Sequence, residues 1–143
     1  MVDVSAKPVT LRIATAAGRI IMRAETATMI QSHQAHKGDV LGIARIAAIN
    51  AVKLTPSLIP LCHAIPIDAV DVRLSFSDAT TLHCQVEVRS TGRTGVEMEA
   101  LCAVSAACLT VYDMCKSVDR GMTIEAIGLL AKSGGQSGSF TAS

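Results

Sequence analysis

The chain has 143 residues, the size of one ordinary domain, and half of them are hydrophobic although it holds no Trp, one Tyr and two Phe. A formal net charge of +1, with basic residues scattered along the chain, excludes the concentrated basic footprint and stacking aromatics of a nucleic-acid binder. No stretch reaches the roughly 18 to 20 unbroken apolar residues of a membrane helix and Met1-Val2-Asp3 lacks a signal-peptide pattern, so a cytoplasmic protein without a membrane partner is expected.

Thr10–Ile13 and Arg19–Met22 read as two short extended pieces around Gly18, the first of them an edge strand. Helices are expected over Glu25–Ser32 and Asp39–Leu54. The second is apolar at Leu41, Ala44, Ala48 and Val52, opens on Asp39 and stops at Pro56. Val70, Val72, Leu74 and Phe76 alternate with polar neighbours, as do Leu82, Cys84, Val86 and Val88 after a turn at Ser77–Thr80, which predicts an antiparallel hairpin. Beyond a loop at Ser90–Gly95, a long helix runs to about Val118 with Met98, Leu101, Cys102, Ser105, Leu109 and Tyr112 at helical spacing. Being apolar nearly all round, it is expected to be sandwiched. Thr123–Ala131 reads as a last strand and Ser133–Ser143 as a Gly and Ser tail.

The order β, α, α, β, β, α, β predicts a single α+β domain over residues 1–143: a ferredoxin-like split β-α-β sandwich with one extra helix, its antiparallel sheet covered by helices on one face. The other face then needs cover, and a second copy of the chain is the natural source. So much apolar material in so short a chain favours a homo-oligomer for the same reason.

Polar clusters within otherwise apolar text are where function is sought, because unpaired polar groups among apolar ones cost free energy. HKGD places Lys37 beside Gly38, where a lysine approaches a phosphate closely or simply stands in solvent. LIPLCH ends an apolar run with Cys62 and His63, but adjacent residues rarely face each other, so a thiol nucleophile is disfavoured. TGVEMEA opens a helix with Glu97 and Glu99, which suits either the helix dipole or the N–H groups of a guanine-like ring. VYDMCK puts Asp113 and Lys116 three apart on one helix face among Leu109, Val111, Met114 and Val118. A partly desolvated lysine there would suit proton transfer, with the aspartate orienting it. LAKSGGQSG joins Lys132 to three glycines, either an anion nest or a flexible tail. The four histidines and five cysteines show no HxxxH, HExxH or CxxC spacing, so neither a metal site nor a disulfide framework is expected.

The strings MVDVSAK, HKGD, LIPLCH, TGVEMEAL, YDMCK and LAKSGG, in this order and across the whole chain, resemble the cyclic pyranopterin monophosphate synthase family. The resemblance implies a ferredoxin-like subunit in a homohexamer, a trimer of dimers, with active sites at subunit interfaces. It implies as substrate a 3′,8-cyclised dihydro-GTP, rearranged with release of diphosphate and without a cofactor. Carried over by motif, Asp113 and Lys116 become the catalytic pair. Lys37, His63, Lys132 and Arg12 become contacts to the triphosphate and substrate, and Leu61, Cys62, Met98 and Glu99 line the pocket with Glu97 beside them. The sequence departs from the family at Ala64, Arg93, Cys102 and Gln136, of which Gln136, in place of a lysine, bears on triphosphate binding. A non-catalytic carrier of a nucleotide or pterin would need the basic residues but not the Asp113 and Lys116 pair.

Overall fold

A 12-residue strand, β1 (Thr10–Ile21), runs through the middle of the sheet in the computed structural model, which describes residues 1–143. It replaces the two short pieces and the edge position expected from the sequence. Gly18 does not break it. A Cβ there would meet Ile127 Cγ1 at 2.8 Å and Val104 Cγ1 at 2.9 Å, so the missing side chain lets a strand and a helix close over this point. The β1 to β4 register shifts beside it, between Ala17 and Arg19.

The chain continues through α1 (Ala24–Gln31), α2 (Val40–Leu58), β2 (Ala69–Phe76), β3 (Thr81–Gly92), α3 (Glu97–Cys115), β4 (Thr123–Ser133) and β5 (Phe140–Thr141). The strands lie in the order β2-β3-β1-β4-β5 and every neighbouring pair is antiparallel. This is the ferredoxin-like α+β arrangement with a short fifth strand added. The expected hairpin is present, in a register that sets Val70 opposite Val88 and Phe76 opposite Leu82.

Several boundaries differ from the sequence reading: α3 ends at Cys115 rather than about Val118 and β4 runs on to Ser133, and three further differences have a visible cause. Pro56 lies inside α2, which runs on to Leu58. So near the C-terminus the proline removes one intrahelical hydrogen bond and no more, and the Ile59 N–H still reaches the Thr55 carbonyl at 2.9 Å. Ser90, Thr91 and Gly92 belong to β3 and pair with β1, where the long partner strand offers them hydrogen-bonding groups. The glycine-rich tail turns at Gly134 and Gly135, both at positive φ, and returns as β5 against Ala131 and Lys132.

The core is built from small side chains. α3 lays Ala100, Ala103, Val104, Ala107 and Val111, all fully buried, onto Ala14, Ala16, Val86 and Val88 of the two central strands. The helix is therefore not sandwiched all round, and the face carrying Met98 and Leu109 is the outer one, Leu109 being 59% exposed. In a helix apolar on every side, periodicity cannot choose the buried face; the small residues that permit close approach to the sheet choose it. By length and composition α3 could cross a membrane, yet half of its apolar window is buried in this domain, the position of a core helix. On α2, Ile43, Ile46, Leu54 and Leu58 are all at least half exposed. The far face of the sheet is mixed instead, with ion pairs Arg19 to Glu125, Arg73 to Asp71 and Arg89 to Glu87.

Candidate active site

The polar residues singled out in the sequence gather at the two ends of α3. At its N-terminal end, β1, the β3 to α3 loop and the glycine turn after β4 enclose a cleft of about 290 Å³ lined by Lys7, Arg12, Arg93 and Lys132, with Ile13 as its one hydrophobic residue. Arg12 is only 7% exposed, a charge kept in the interior by its position in the central strand. Its Nε donates to the Gly92 carbonyl at 3.3 Å and Nη2 to the Arg93 carbonyl at 3.2 Å. The turn beside it favours glycine, since Gly134 and Gly135 both take positive φ and a Cβ on Gly134 would meet the Leu11 carbonyl oxygen at 2.1 Å. Arg93 ties down the N-terminal segment by donating to the carbonyls of Ser5 and Lys7. Lys132 donates to Ser137 Oγ and lies 3.7 Å from Glu97 Oε1. Such a concentration of cations is suited to a polyanion.

A second cleft, about 390 Å³, shares Thr94, Gly95 and Glu97 with the first and is otherwise lined by Ile59, Leu61, Cys62, His63 and Met98. Behind it Glu99 is 1% exposed, with Oε1 at 3.8 Å from Cys62 Sγ and Oε2 buried without a partner. Burial pushes the Glu99 carboxyl above its ordinary value, and burial followed by the neighbouring Glu99 pushes the Cys62 thiol up as well. The single thiol proton has two acceptors at 3.8 Å, Glu99 Oε1 and the main-chain carbonyl of His63, and no imidazole acceptor, which leaves no activated thiolate.

Glu99 also makes stability depend on pH. A carboxyl whose folded pKa lies above its unfolded value contributes fully below the unfolded pKa, and that contribution is lost as pH rises through the folded value. Glu99→Gln removes the charge while keeping the shape. It is therefore expected to melt a few degrees higher than the wild type at about pH 8 and level with it at about pH 4, as thermal unfolding at the two pH values will show.

At the C-terminal end of α3, Asp113 stands between two lysines. Lys116 Nζ donates to Oδ1 at 2.6 Å from one turn further along, and Lys37 Nζ donates to Oδ2 at 2.8 Å and to the Asp113 carbonyl at 3.2 Å. The HKGD segment explains how Lys37 arrives. Gly38 takes φ +103, and Asp39 caps α2 by accepting from the Gly42 N–H at 3.0 Å, so the chain turns sharply just after the lysine. Hydrogen bonds from Lys116 and then Lys37, with the charges of both, hold the Asp113 carboxyl at about 2, ionised at every working pH. The desolvated lysine expected from the sequence is not found within one chain: the Lys116 side chain is 52% exposed, because Leu109 and Val118 beside it are themselves exposed. The neighbouring loop is anchored by buried Asp119, which accepts from the Arg23 N–H at 2.8 Å and Thr26 Oγ1 at 3.0 Å.

Thus Arg12, Lys132, Glu97, Glu99, Met98, Leu61, Cys62 and His63 are brought together, and Asp113, Lys116 and Lys37 form a second group. Sixteen residues of helix separate Glu97 from Asp113, about 24 Å at the α-helical rise. One chain does not unite the two groups. Lys7 and Arg93 line the basic cleft without having been singled out as site residues. Their signal was present, Lys7 in the string MVDVSAK and Arg93 in the loop before TGVEMEAL. Gln136 lines the same cleft, so the departure from the family pattern falls on it. No three His, Cys, Asp or Glu side chains converge as a metal site would need.

The MoaC family model matches residues 1–135. A cyclic pyranopterin monophosphate synthase of Cereibacter sphaeroides is 54% identical over all of this chain and 91% of its own length. Proteins of the same name from Thermomicrobium roseum and Brevibacillus brevis are 54% and 50% identical, each over 98% of this chain and over 85% and 88% of their own lengths. A match of this extent, carried by a chain whose fold sets the shared motifs at the two ends of one helix, makes the protein a member of the MoaC family of cyclic pyranopterin monophosphate synthases.

Proposed function

We infer that the chain is a cyclic pyranopterin monophosphate synthase, a phosphorus-oxygen lyase of molybdenum cofactor biosynthesis acting in the cytoplasm. It converts (8S)-3′,8-cyclo-7,8-dihydroguanosine 5′-triphosphate to cyclic pyranopterin monophosphate and diphosphate. The observation that carries the reading is the adjacency of the two clefts, one cationic and one half apolar with a buried acid behind it. A nucleotide needs both environments, one for its phosphates and one for its heterocycle. Arg12 and Lys132 neutralise the charge that grows on the departing diphosphate. Leu61, Cys62, His63, Met98 and Glu99 hold the ring. Opening and reclosing the ring moves protons without changing oxidation state, work for Lys116, Lys37 and the permanently ionised Asp113 that orients both. A sugar hydroxyl then attacks the α-phosphorus, forming the cyclic phosphate ester as the bond to diphosphate breaks.

The homohexamer, a trimer of dimers with interfacial sites, is part of the same reading. Its support is the separation of the two residue groups along α3 and the exposed apolar side of α2. The test is incubation of the purified oligomer with the cyclised dihydro-GTP, followed by assay of diphosphate and of the fluorescent oxidised pterin. Both products are expected together. Binding without either product, in an intact oligomer, would overturn the synthase in favour of the carrier.

A further inference from the structure

Glu97 is the one acidic residue lining the basic cleft, which it shares with the cations Lys7, Arg12, Arg93 and Lys132. Its side chain is folded back across the start of α3. A Cβ on Gly95 would meet Glu97 Oε2 at 1.9 Å and Cδ at 2.7 Å, so a side chain at that position would push the carboxylate away. In this pose Oε1 lies 3.7 Å from Lys132 Nζ, and the two side chains are only 31% and 20% exposed. Lys132 in turn donates to Ser137 Oγ of the glycine turn. Because Glu97 also lines the half-apolar cleft, its carboxylate stands on the boundary between the two.

A carboxylate in an anion site opposes the anion twice, by direct repulsion and by occupying a cation the anion would use. A site built only to hold phosphate gains nothing from it. A site that must let diphosphate go does gain. Resting on the reading of this cleft as the polyphosphate site, we propose that Glu97 is a positioning and specificity-determining residue for product release. It holds the Lys132 ammonium in place while the cleft is empty and competes with bound phosphate for it. Substrate, held through its heterocycle in the adjoining cleft as well, outlasts that competition, whereas free diphosphate is held weakly and leaves.

The test is calorimetric titration of the full chain with sodium diphosphate, comparing wild type, Glu97→Gln and Lys132→Ala. Glu97→Gln is expected to bind diphosphate roughly three- to tenfold more tightly, by a margin that shrinks as salt is raised, and to be inhibited by it correspondingly more strongly. Lys132→Ala is expected to bind it more weakly. A merely structural role for Glu97 has the opposite sign, since a disordered Lys132 would weaken binding. Equal or weaker binding by Glu97→Gln, with Lys132→Ala still impaired, overturns the role of Glu97 and leaves the cleft as the polyphosphate site. Diphosphate affinity indifferent to Lys132→Ala overturns the polyphosphate site and this role with it.

Discussion

Lys116→Ala is expected to bind the cyclised dihydro-GTP with little change and to form product at least about a thousandfold more slowly, within the range by which positioned acids and bases accelerate reactions. Binding survives because the cationic cleft and the pocket before Glu99 lie at the other end of α3. The fold survives too, because the Lys116 side chain is half exposed and exposed ion pairs contribute little to stability. What is lost is an ammonium held 2.6 Å from a carboxylate that remains charged throughout the neutral range. Since Asp113 is held at about 2 and its carboxylate form is retained until pH falls through that value, any acid limb of the wild-type pH profile at higher pH is expected to come from another group. Single-turnover assay with titration of substrate binding separates the two effects. Product at the wild-type rate would remove Lys116 from the chemistry, and equal loss of binding and turnover would make it a substrate contact instead.

How much of this was legible in the sequence depends on how local each signal is. The β2 and β3 hairpin and its buried face were readable because alternation over eight residues leaves one way to bury Leu82, Cys84, Val86 and Val88. β1 looks like two pieces in the sequence because a glycine inside a strand resembles a break, and only the approach of Val104 and Ile127 shows why it is there. The buried face of α3 was not legible, since Ala103, Val104 and Ala107 are no more apolar than the Leu and Met residues left outside. At the site, the Asp113 and Lys116 pair follows from a spacing of three. Lys37 at the same carboxylate does not, being separated by 76 residues and carried there by the packing of α2 against α3. The basic cleft is likewise assembled from three distant segments. Arg93 and Lys7 therefore became members of it only once β1, β3 and β4 were in register.

The division of the site residues between the ends of one helix leads to the second large effect. Lys132→Ala, which damages the cationic cleft, and Lys116→Ala, which damages the proton-transfer group, are each expected to be inactive alone. Mixed in one oligomer, they are expected to recover about a quarter of wild-type activity. In a two-fold symmetric pair each complete site takes one group from each subunit, so a mixed pair has one site with both lesions and one with neither. Random mixing makes about half of the pairs mixed, and half the sites in those are intact. No flexing of a single chain substitutes for this, because α3 is continuous from Glu97 to Cys115 and keeps the groups about 24 Å apart. The measurement is diphosphate release by co-expressed, doubly tagged oligomers purified through both tags, against each variant alone. Recovery identifies the subunit boundary as the place where the chemistry is assembled, and its absence in verified mixed oligomers would confine each site to one chain and require a different partner for Asp113 and its lysines.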